Sequence, residues 1–340
     1  MKIKSIHFFR GIAILFIIAG HFLAQNAKIL KISIDESDFY NKVIYNFING
    51  GTGMFVFISG FLFYSVFYKK YNFKDFTIKK LKNIYIPYIV LSIYPIIKMY
   101  FIDKQYKFEY NLDILHSFYT GIYMTGYWYI TFIMIMFLIS PLFIKYINSE
   151  HKGKILLISF FISLIIQRPI QNLNQIHSVI YFTFFYILGI WVAINKDKVL
   201  EVLKNKVWIL GILTIIVVIL QTMVFVHMGN YHKEFFEFKG IDFILIQKTL
   251  MCLIFFVFLT RFENSKLIVL DKLAEYSFAI YFLHPYIMRV FGNKIYKKIE
   301  GINYWALFLI EMSILVFVSI VVAMIIKKLL KKYSRYVIGY

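Results

Sequence analysis

Long apolar runs alternate with short polar loops along the whole chain. An α-helix needs roughly 17–25 mainly apolar residues to cross a bilayer, and ten runs approach or exceed that length. They cover approximately residues 6–27, 43–68, 83–102, 126–147, 154–169, 176–194, 207–228, 241–260, 274–291 and 303–326. The pattern predicts an all-α, polytopic membrane protein with about ten transmembrane helices and one transmembrane domain over residues 1–340. The fifth run is short and ends at the polar segment "QRPIQNLNQ", so a tilted, re-entrant or interfacial helix stays open there.

The composition supports a membrane protein and excludes several other classes. Hydrophobic residues make up 60% of the chain and charged residues 16%, well below the roughly 25% of charged residues in soluble domains. The net charge is +20, but the basic residues lie in loops between apolar runs, where membrane topology explains them. Nucleic acid is therefore not an expected partner. Cys252 is the single cysteine, which excludes an intramolecular disulfide framework.

The basic residues also predict an orientation. The N-terminal end and the loops on its side of the membrane carry 24 of the 38 Lys and Arg residues, and the opposite loops carry 13. Cytoplasmic loops are enriched in Lys and Arg, so both termini are predicted to be cytoplasmic, in a multi-pass protein of the cell (inner or cytoplasmic) membrane.

Two ionisable residues interrupt the first apolar run. Arg10 and His21 are eleven residues apart, which on an α-helix is a rise of about 16 Å and about three turns, so they share one side of the helix. Arg10 lies at the predicted cytoplasmic end, where it either extends to lipid headgroups or serves a site. His21 lies more than halfway across the membrane. It is either a packed histidine that hydrogen-bonds a neighbouring helix or a general base.

Two further buried charges lie at equal depth in other spans. Lys248 lies about seven residues into the eighth span from the outer face, and Glu311 about eight into the tenth. An ion pair would offset the cost of each charge in the membrane, so a structural pair is the preferred interpretation. The eight histidines are scattered without metal-ligand spacing, and no metal site is expected.

Five segments, in order along the chain, resemble the acyltransferase 3 family of integral membrane O-acyltransferases. They are "FFRGIAILFIIAGHF" (8–22), "GGTGMFVFISGFLFY" (50–64), "KKLKNIYIPYI" (79–89), "GYWYITFIMIMFLISP" (126–141) and "SFAIYFLHPYI" (277–287). Among its branches, the chain is most similar to the compact members that act on surface polysaccharides, including the intercellular-adhesion polysaccharide type. Ten helices is the family's usual number.

The resemblance implies transfer of an acyl group, usually acetyl, from cytoplasmic acyl-CoA to a hydroxyl of a cell-surface or lipid-linked glycan. Acetyl-CoA, or another acyl-CoA, is then a co-substrate, and no bound cofactor is implied. By motif, His21 is the catalytic histidine, as base or transient acyl carrier, and Arg10 handles the acyl donor. Lys80 and Lys82 are expected to help bind the CoA phosphates, although a topology anchor and surface for anionic lipid is the first explanation of this basic loop, and the two roles are compatible. The family's basic stretch is often arginine-rich, and lysine lacks the bidentate fork of arginine.

Four residues are candidates for the acceptor side of the site. His284 precedes Pro285 in the ninth span, where it either caps a backbone carbonyl or lies beside the acceptor. Trp128 and Tyr129 belong either to an interfacial aromatic belt or to a sugar-stacking surface. Ser59 lies in the glycine-rich segment, for which close helix packing is the first explanation.

Two other functions remain open. The first is a polysaccharide exporter or flippase, which would use the same polar stripe as a path. Transporters normally show paired repeats with corresponding broken helices, and none is evident in the sequence. The second is a non-catalytic membrane subunit that works with glycan-synthesis proteins. The expected partners are thus acyl-CoA, a carbohydrate acceptor, the lipid bilayer and glycan-synthesis proteins.

The predicted topology can be tested with a C-terminal reporter. At a cytoplasmic C-terminus, green fluorescent protein fused after Tyr340 should fluoresce. Alkaline phosphatase fused at the same place should be inactive. The same reporters inserted at Asn111, in a predicted outer loop, should give the opposite pair of results. Phosphatase activity from the C-terminal fusion would contradict the prediction.

Overall fold

A computed structural model describes residues 3–29, 39–102, 111–169, 174–224, 232–235, 237, 240–295 and 304–339. In this part of the chain the structure is almost entirely helical. The helices are α1 (Lys4–Ile29), α2 (Phe39–Ile48), α3 (Thr52–Leu62), α4 (Phe73–Lys80), α5 (Ile86–Ile97), α6 (Asn111–Thr120), α7 (Trp128–Leu138), α8 (Ser140–Asn148), α9 (Lys152–Ile166), α10 (Gln175–Ile194), α11 (Lys196–Leu203), α12 (Val207–Val224), α13 (Phe243–Thr260), α14 (Ile268–Ile295), α15 (Tyr304–Leu330) and α16 (Ser334–Ile338). Two-residue strands, β1 (Arg168–Pro169) and β2 (His232–Lys233), pair with each other. The prediction of an all-α membrane protein is confirmed.

The chain divides into two compact units. The first comprises Met1–Tyr71, Leu142–Arg168 and Ile180–Ser277, and the second comprises Asn72–Pro141, Pro169–Val179 and Phe278–Tyr340. Helices α1–α3, α9 and α11–α13 belong to the first unit; α4–α7, α15 and α16 belong to the second; and α8, α10 and α14 contribute to both. The prediction of one transmembrane domain over the whole chain stays a prediction.

Seven helical segments within the described residues are long and apolar enough to span a membrane, or eight if α7 and α8, which are bent at the break between them, count as one span. The two remaining predicted spans exist as helices. Helix α9 has only 15 residues, and α14 carries tyrosines, His284 and several charges. A helix that is shielded by other protein can carry such polar side chains. The exact number of ten spans stays a prediction, as does the cytoplasmic location of the termini.

Aromatic rings form the core of the first unit around α1. Phe9 of α1 lies 5.9 Å from Phe57 of α3 and 5.4 Å from Phe255 of α13, measured between ring centroids. Phe61 and Phe256 link α3 to α13 at 5.4 Å. Tilted rings at such separations add to the energy of their burial. Helix α1, which carries Arg10 and His21, is therefore fixed against two neighbours.

Hydrogen-bonded tyrosines organise the core of the second unit. The Tyr88 hydroxyl donates to the Phe118 carbonyl at 2.5 Å, and the Tyr127 hydroxyl donates to the Phe282 carbonyl at 3.0 Å. Both tyrosines are fully buried. A buried hydroxyl needs a partner, and these contacts tie α5 to α6 and α7 to α14.

Glycines let α3 and α10 approach closely within the first unit. A Cβ atom at Gly60 would overlap the carbonyl oxygen of Tyr186, and one at Gly189 would overlap the carbonyl oxygen of Phe57. The two glycines thus face the opposite helix reciprocally. This confirms the small-residue interpretation of Gly60 in the glycine-rich segment.

The glycine contact predicts that the same substitution, glycine to alanine, affects stability differently at two positions. Gly60→Ala should destabilise the protein by about 1–3 kcal/mol, because the added methyl group forces α3 and α10 apart. Gly211→Ala is the matched control, since a Cβ atom at this α12 position meets nothing within 4 Å. Thermal unfolding in detergent should show a lower midpoint for Gly60→Ala only, and equal midpoints would contradict the packing argument.

Candidate functional site

The Arg10 guanidinium is anchored to the backbone of α14. Its Nε and Nη2 groups both donate to the Ala274 carbonyl, at 3.1 and 2.7 Å. The adjacent Gly11 makes this approach possible, because a Cβ atom there would lie 2.9 Å from the Leu270 carbonyl oxygen. Arg10 is half-buried, and α14 fixes its orientation.

A polar cluster surrounds Arg10 at the start of α1. The Nε2 atom of His7 lies 3.2 Å from a carboxylate oxygen of Asp271, and its Nδ1 atom lies 3.5 Å from Nη2 of Arg10. Ser5 donates to the Glu263 carboxylate at 2.7 Å. No sequence motif marks His7, although it precedes Arg10 by three residues and so lies on the same side of the helix.

His21 lies two-thirds of the way along α1 and is half-buried. A Cβ atom at the neighbouring Gly20 would meet only the side-chain oxygen of Asn49, at 3.9 Å, so the backbone of α1 is loosely packed at that position. Arg168 is close enough to His21 to interact with it electrostatically. Arg10, His21 and Arg168 all belong to the first unit.

Arg168 is the centre of a second group of polar side chains, which the sequence analysis did not single out. We call Tyr45, Arg168, Tyr181 and Asp242 the Arg168 cluster, because all three other members interact electrostatically with Arg168. Arg168, Tyr181 and Asp242 are only 7%, 1% and 6% exposed. The one local signal was the polar segment after the fifth run, and it gives no indication of the distant partners.

Asp242 is the acidic member of the Arg168 cluster. Its carboxylate accepts a hydrogen bond from the backbone N–H of Leu245 at 3.0 Å, which caps the N-terminus of α13. It also forms a side-chain hydrogen bond with Tyr181.

The predicted donor-binding lysines lie in the second unit. The Lys80 ammonium lies 4.4 Å from the ring centroid of Phe137 and 5.3 Å from that of Phe76, which are cation–π distances. Lys82 is exposed. Because Arg10 belongs to the first unit, a donor site shared by Arg10, Lys80 and Lys82 stays a prediction.

Two of the acceptor candidates have hydrogen bonds to the backbone of their own helix. The Nδ1 atom of His284, which is fully buried, lies 3.1 Å from the Ile280 carbonyl oxygen. The Ser59 hydroxyl donates to the Phe55 carbonyl at 2.9 Å. These contacts are those of structural side chains, and a role toward the acceptor stays a prediction.

Trp128 and Tyr129, the aromatic candidates, begin α7 and are buried. Their rings lie 6.0 and 5.7 Å from the ring of Phe132 in the second unit. Their contact with a sugar stays a prediction.

The Lys248 ammonium donates to the Phe47 carbonyl at 2.6 Å and lies 5.2 Å from the ring centroid of Phe16. These contacts accommodate the charge within the first unit. Glu311 is buried on α15 of the second unit. The predicted pairing of Lys248 with Glu311 stays a prediction.

In the part of the chain that the structure describes, no three His, Cys, Asp or Glu side chains come together in a way that could hold a metal ion. The groups around Arg10 and Arg168 combine arginine guanidinium groups and an imidazole with phenols and the carboxyl groups of Asp271, Glu263 and Asp242. Such groups bind anions and transfer protons.

The helical fold and the polar groups inside it define a multi-pass membrane protein with an internal polar site. The chain belongs to the acyltransferase 3 family, since the family model described as an acyltransferase domain matches residues 3–328. The resemblance indicated by the five sequence segments is thus confirmed.

Relatives come from the surface-polysaccharide branch. The chain is 22% identical over 264 residues to the probable poly-beta-1,6-N-acetyl-D-glucosamine export proteins of Staphylococcus aureus strains MSSA476, MRSA252 and Mu50. The alignments cover 72% of this chain and 71% of each relative. No solved structure matches the chain.

Proposed function

We propose that this protein is a membrane O-acyltransferase that moves an acyl group, with acetyl as the first candidate, from cytoplasmic acyl-CoA to a hydroxyl of a cell-surface or lipid-linked glycan. The observation that carries the proposal is the position of Arg10 and His21 on one helix, each beside further polar groups of the same unit. Family membership supports the reaction class.

The spacing along α1 suits a long acyl donor. Eleven residues of helix rise about 16 Å, so a group held at Arg10 is well separated from a reaction at His21. Acyl-CoA has its phosphates at one end and its thioester at the end of a flexible arm. We assign the phosphates to Arg10, with Lys80 and Lys82 as further cations, and the thioester to the neighbourhood of His21.

His21 supplies the proton transfer that an alcohol acceptor requires. A glycan hydroxyl is a poor nucleophile until its proton is removed during attack, and a neutral imidazole is suited to accept that proton near pH 7. The acceptor oxygen then bonds to the thioester carbonyl carbon, the C–S bond breaks, and the CoA sulfur takes the proton from His21. A transient acyl-imidazole on His21 is the alternative route to the same ester.

The printed names of the relatives support a second candidate, a polysaccharide exporter. An exporter would use the polar groups along α1 as a path rather than as a reaction centre. Mass spectrometry of the surface glycan, with and without the gene, separates the two. Loss of an ester from glycan that still reaches the surface supports the transferase. Glycan that is intact inside the cell and missing from the surface supports export.

The transferase proposal predicts that His21 is essential for ester formation. His21→Ala and His21→Gln should each reduce the rate by about 10²–10⁴-fold, the usual contribution of a general acid–base group. Glutamine can preserve a packing hydrogen bond but cannot act as a base. The rate is measured as release of CoA thiol by protein in nanodiscs, with acetyl-CoA and surface glycan isolated from the deletion strain.

The matched control for His21 is His151→Gln, because His151 is an exposed histidine of the first unit. It should keep the wild-type rate. Binding of acetyl-CoA should persist in both His21 variants. Substantial transfer by His21→Gln would show that His21 has a structural role only.

The assignment of Arg10 to the donor predicts a defect in binding. Arg10→Ala should weaken acetyl-CoA affinity roughly ten- to a hundred-fold, since a charge-assisted hydrogen bond typically contributes about 1.5–3 kcal/mol. The measurement is calorimetric titration of protein in nanodiscs with a non-reactive thioether analogue of acetyl-CoA.

Arg261→Ala is the control for Arg10→Ala, because Arg261 also donates to a backbone carbonyl of the first unit, that of Lys204, at 2.7 Å. Its loss should leave the affinity unchanged. If both variants bind the analogue like the wild type, Arg10 serves only to attach α1 to α14.

A further inference from the structure

We propose that Arg168 is a catalytic residue of the transfer, and that its guanidinium stabilises the negative charge that develops on the acyl carbonyl oxygen beside His21. This inference rests on the proposed function. It adds to the site a residue that lies outside all five motif segments.

The first support is the cost of placing this residue where it is. An arginine cannot lose its proton inside a protein, and a buried cation destabilises the fold unless other groups compensate for the lost water. Arg168 is 7% exposed, and its electrostatic partners Tyr45, Tyr181 and Asp242 come from α2, α10 and the start of α13. Residues of three separate elements therefore interact with one permanent positive charge, which also acts electrostatically on His21.

The second support is the unusual backbone conformation of Gln167, the residue immediately before Arg168. Gln167 has φ = 60° and ψ = −171°, a region that residues other than glycine rarely adopt. Its side-chain amide donates to the Gly240 carbonyl at 2.6 Å, and the Lys233 ammonium donates to the Ile165 carbonyl at 2.7 Å. These contacts stabilise the unfavourable turn that ends α9, and strain of this kind concentrates at functional sites.

The third support is the fixed orientation of the charge. The guanidinium carbon lies 5.5 Å from the ring centroid of Phe182, which restricts the side chain on one side. Asp242, which interacts electrostatically with Arg168, is itself held by the Leu245 N–H and by Tyr181. A preorganised charge stabilises a transition state without a cost of reorganisation during the reaction.

The acyl-transfer reaction determines which negative charge Arg168 would stabilise. As the acceptor oxygen bonds to the thioester carbon, the electrons of the C=O double bond move to the carbonyl oxygen and the hydroxyl proton moves to His21. The resulting oxyanion would form next to His21, on which the charge of Arg168 also acts. When the C=O double bond forms again, the C–S bond breaks and the thiolate receives the proton from His21.

The experiment compares Arg168→Gln, Arg168→Lys and the double variant Arg168→Gln with Asp242→Asn. Loss of one oxyanion-stabilising group typically lowers kcat by about 10²–10³-fold, and we expect that loss for Arg168→Gln. Arg168→Lys should retain an intermediate kcat, because it keeps the charge without the fork. Affinity for the thioether analogue of acetyl-CoA should stay within about twofold of wild type, since the charge acts on the transition state.

The double variant separates catalysis from folding. It removes both the buried cation and the acid that interacts with it, while asparagine at position 242 keeps a side-chain oxygen to cap α13, so thermal stability should recover relative to Arg168→Gln. Its kcat should not recover. Recovery of kcat together with stability would show that Arg168 has only a structural role and would overturn the proposal.

The outcome also distinguishes this inference from the proposed function. If the wild type releases CoA with the isolated glycan, His21→Gln is inactive and Arg168→Gln keeps a normal kcat, only the role of Arg168 is wrong. If neither the wild type nor any variant forms the ester, the transferase function itself is wrong.

Discussion

The need to accommodate permanent positive charge inside an apolar protein determines much of the first unit. Arg10 and Arg168 cannot be neutralised by losing a proton, so each requires protein groups that replace water. Arg10 uses the Ala274 carbonyl, which brings the start of α14 against α1. Arg168 uses Asp242, whose carboxylate also caps α13. The two arginines thus help to fix the helices that pack around α1. In the sequence, His21 lies between Arg10 and Arg168.

Properties that depend on a single helix could be predicted from the local sequence. The length of the apolar runs predicted helices, because an isolated span must satisfy its own backbone hydrogen bonds. The shared side of Arg10 and His21 followed from the pitch of a single helix. The run 126–147, by contrast, was predicted as one span and is broken between α7 and α8. Pro141 explains the break, because its ring cannot donate a hydrogen bond and clashes with the preceding turn.

Features that depend on several helices could not be predicted from one sequence. Arg168 and Asp242 are 74 positions apart, and neither stands in a motif that indicates the other. Equal depth in the membrane suggested that Lys248 and Glu311 pair, but depth does not specify which side of the helix faces which neighbour. Phe47 illustrates the point, since its backbone carbonyl accepts from Lys248. A backbone acceptor of this kind has no signature in the pattern of side chains.

The arrangement of charges bears on whether the site is a reaction centre or a transport path. A path must bind its cargo weakly at successive positions so that the cargo can leave. In the first unit, however, the Arg10 guanidinium is held by two hydrogen bonds to a single carbonyl, and the Arg168 guanidinium is buried against the ring of Phe182. Rigid charges at fixed positions suit a reaction, in which the same charge distribution forms at the same place in every turnover. For this reason we favour transfer over export, even though the relatives are named for export.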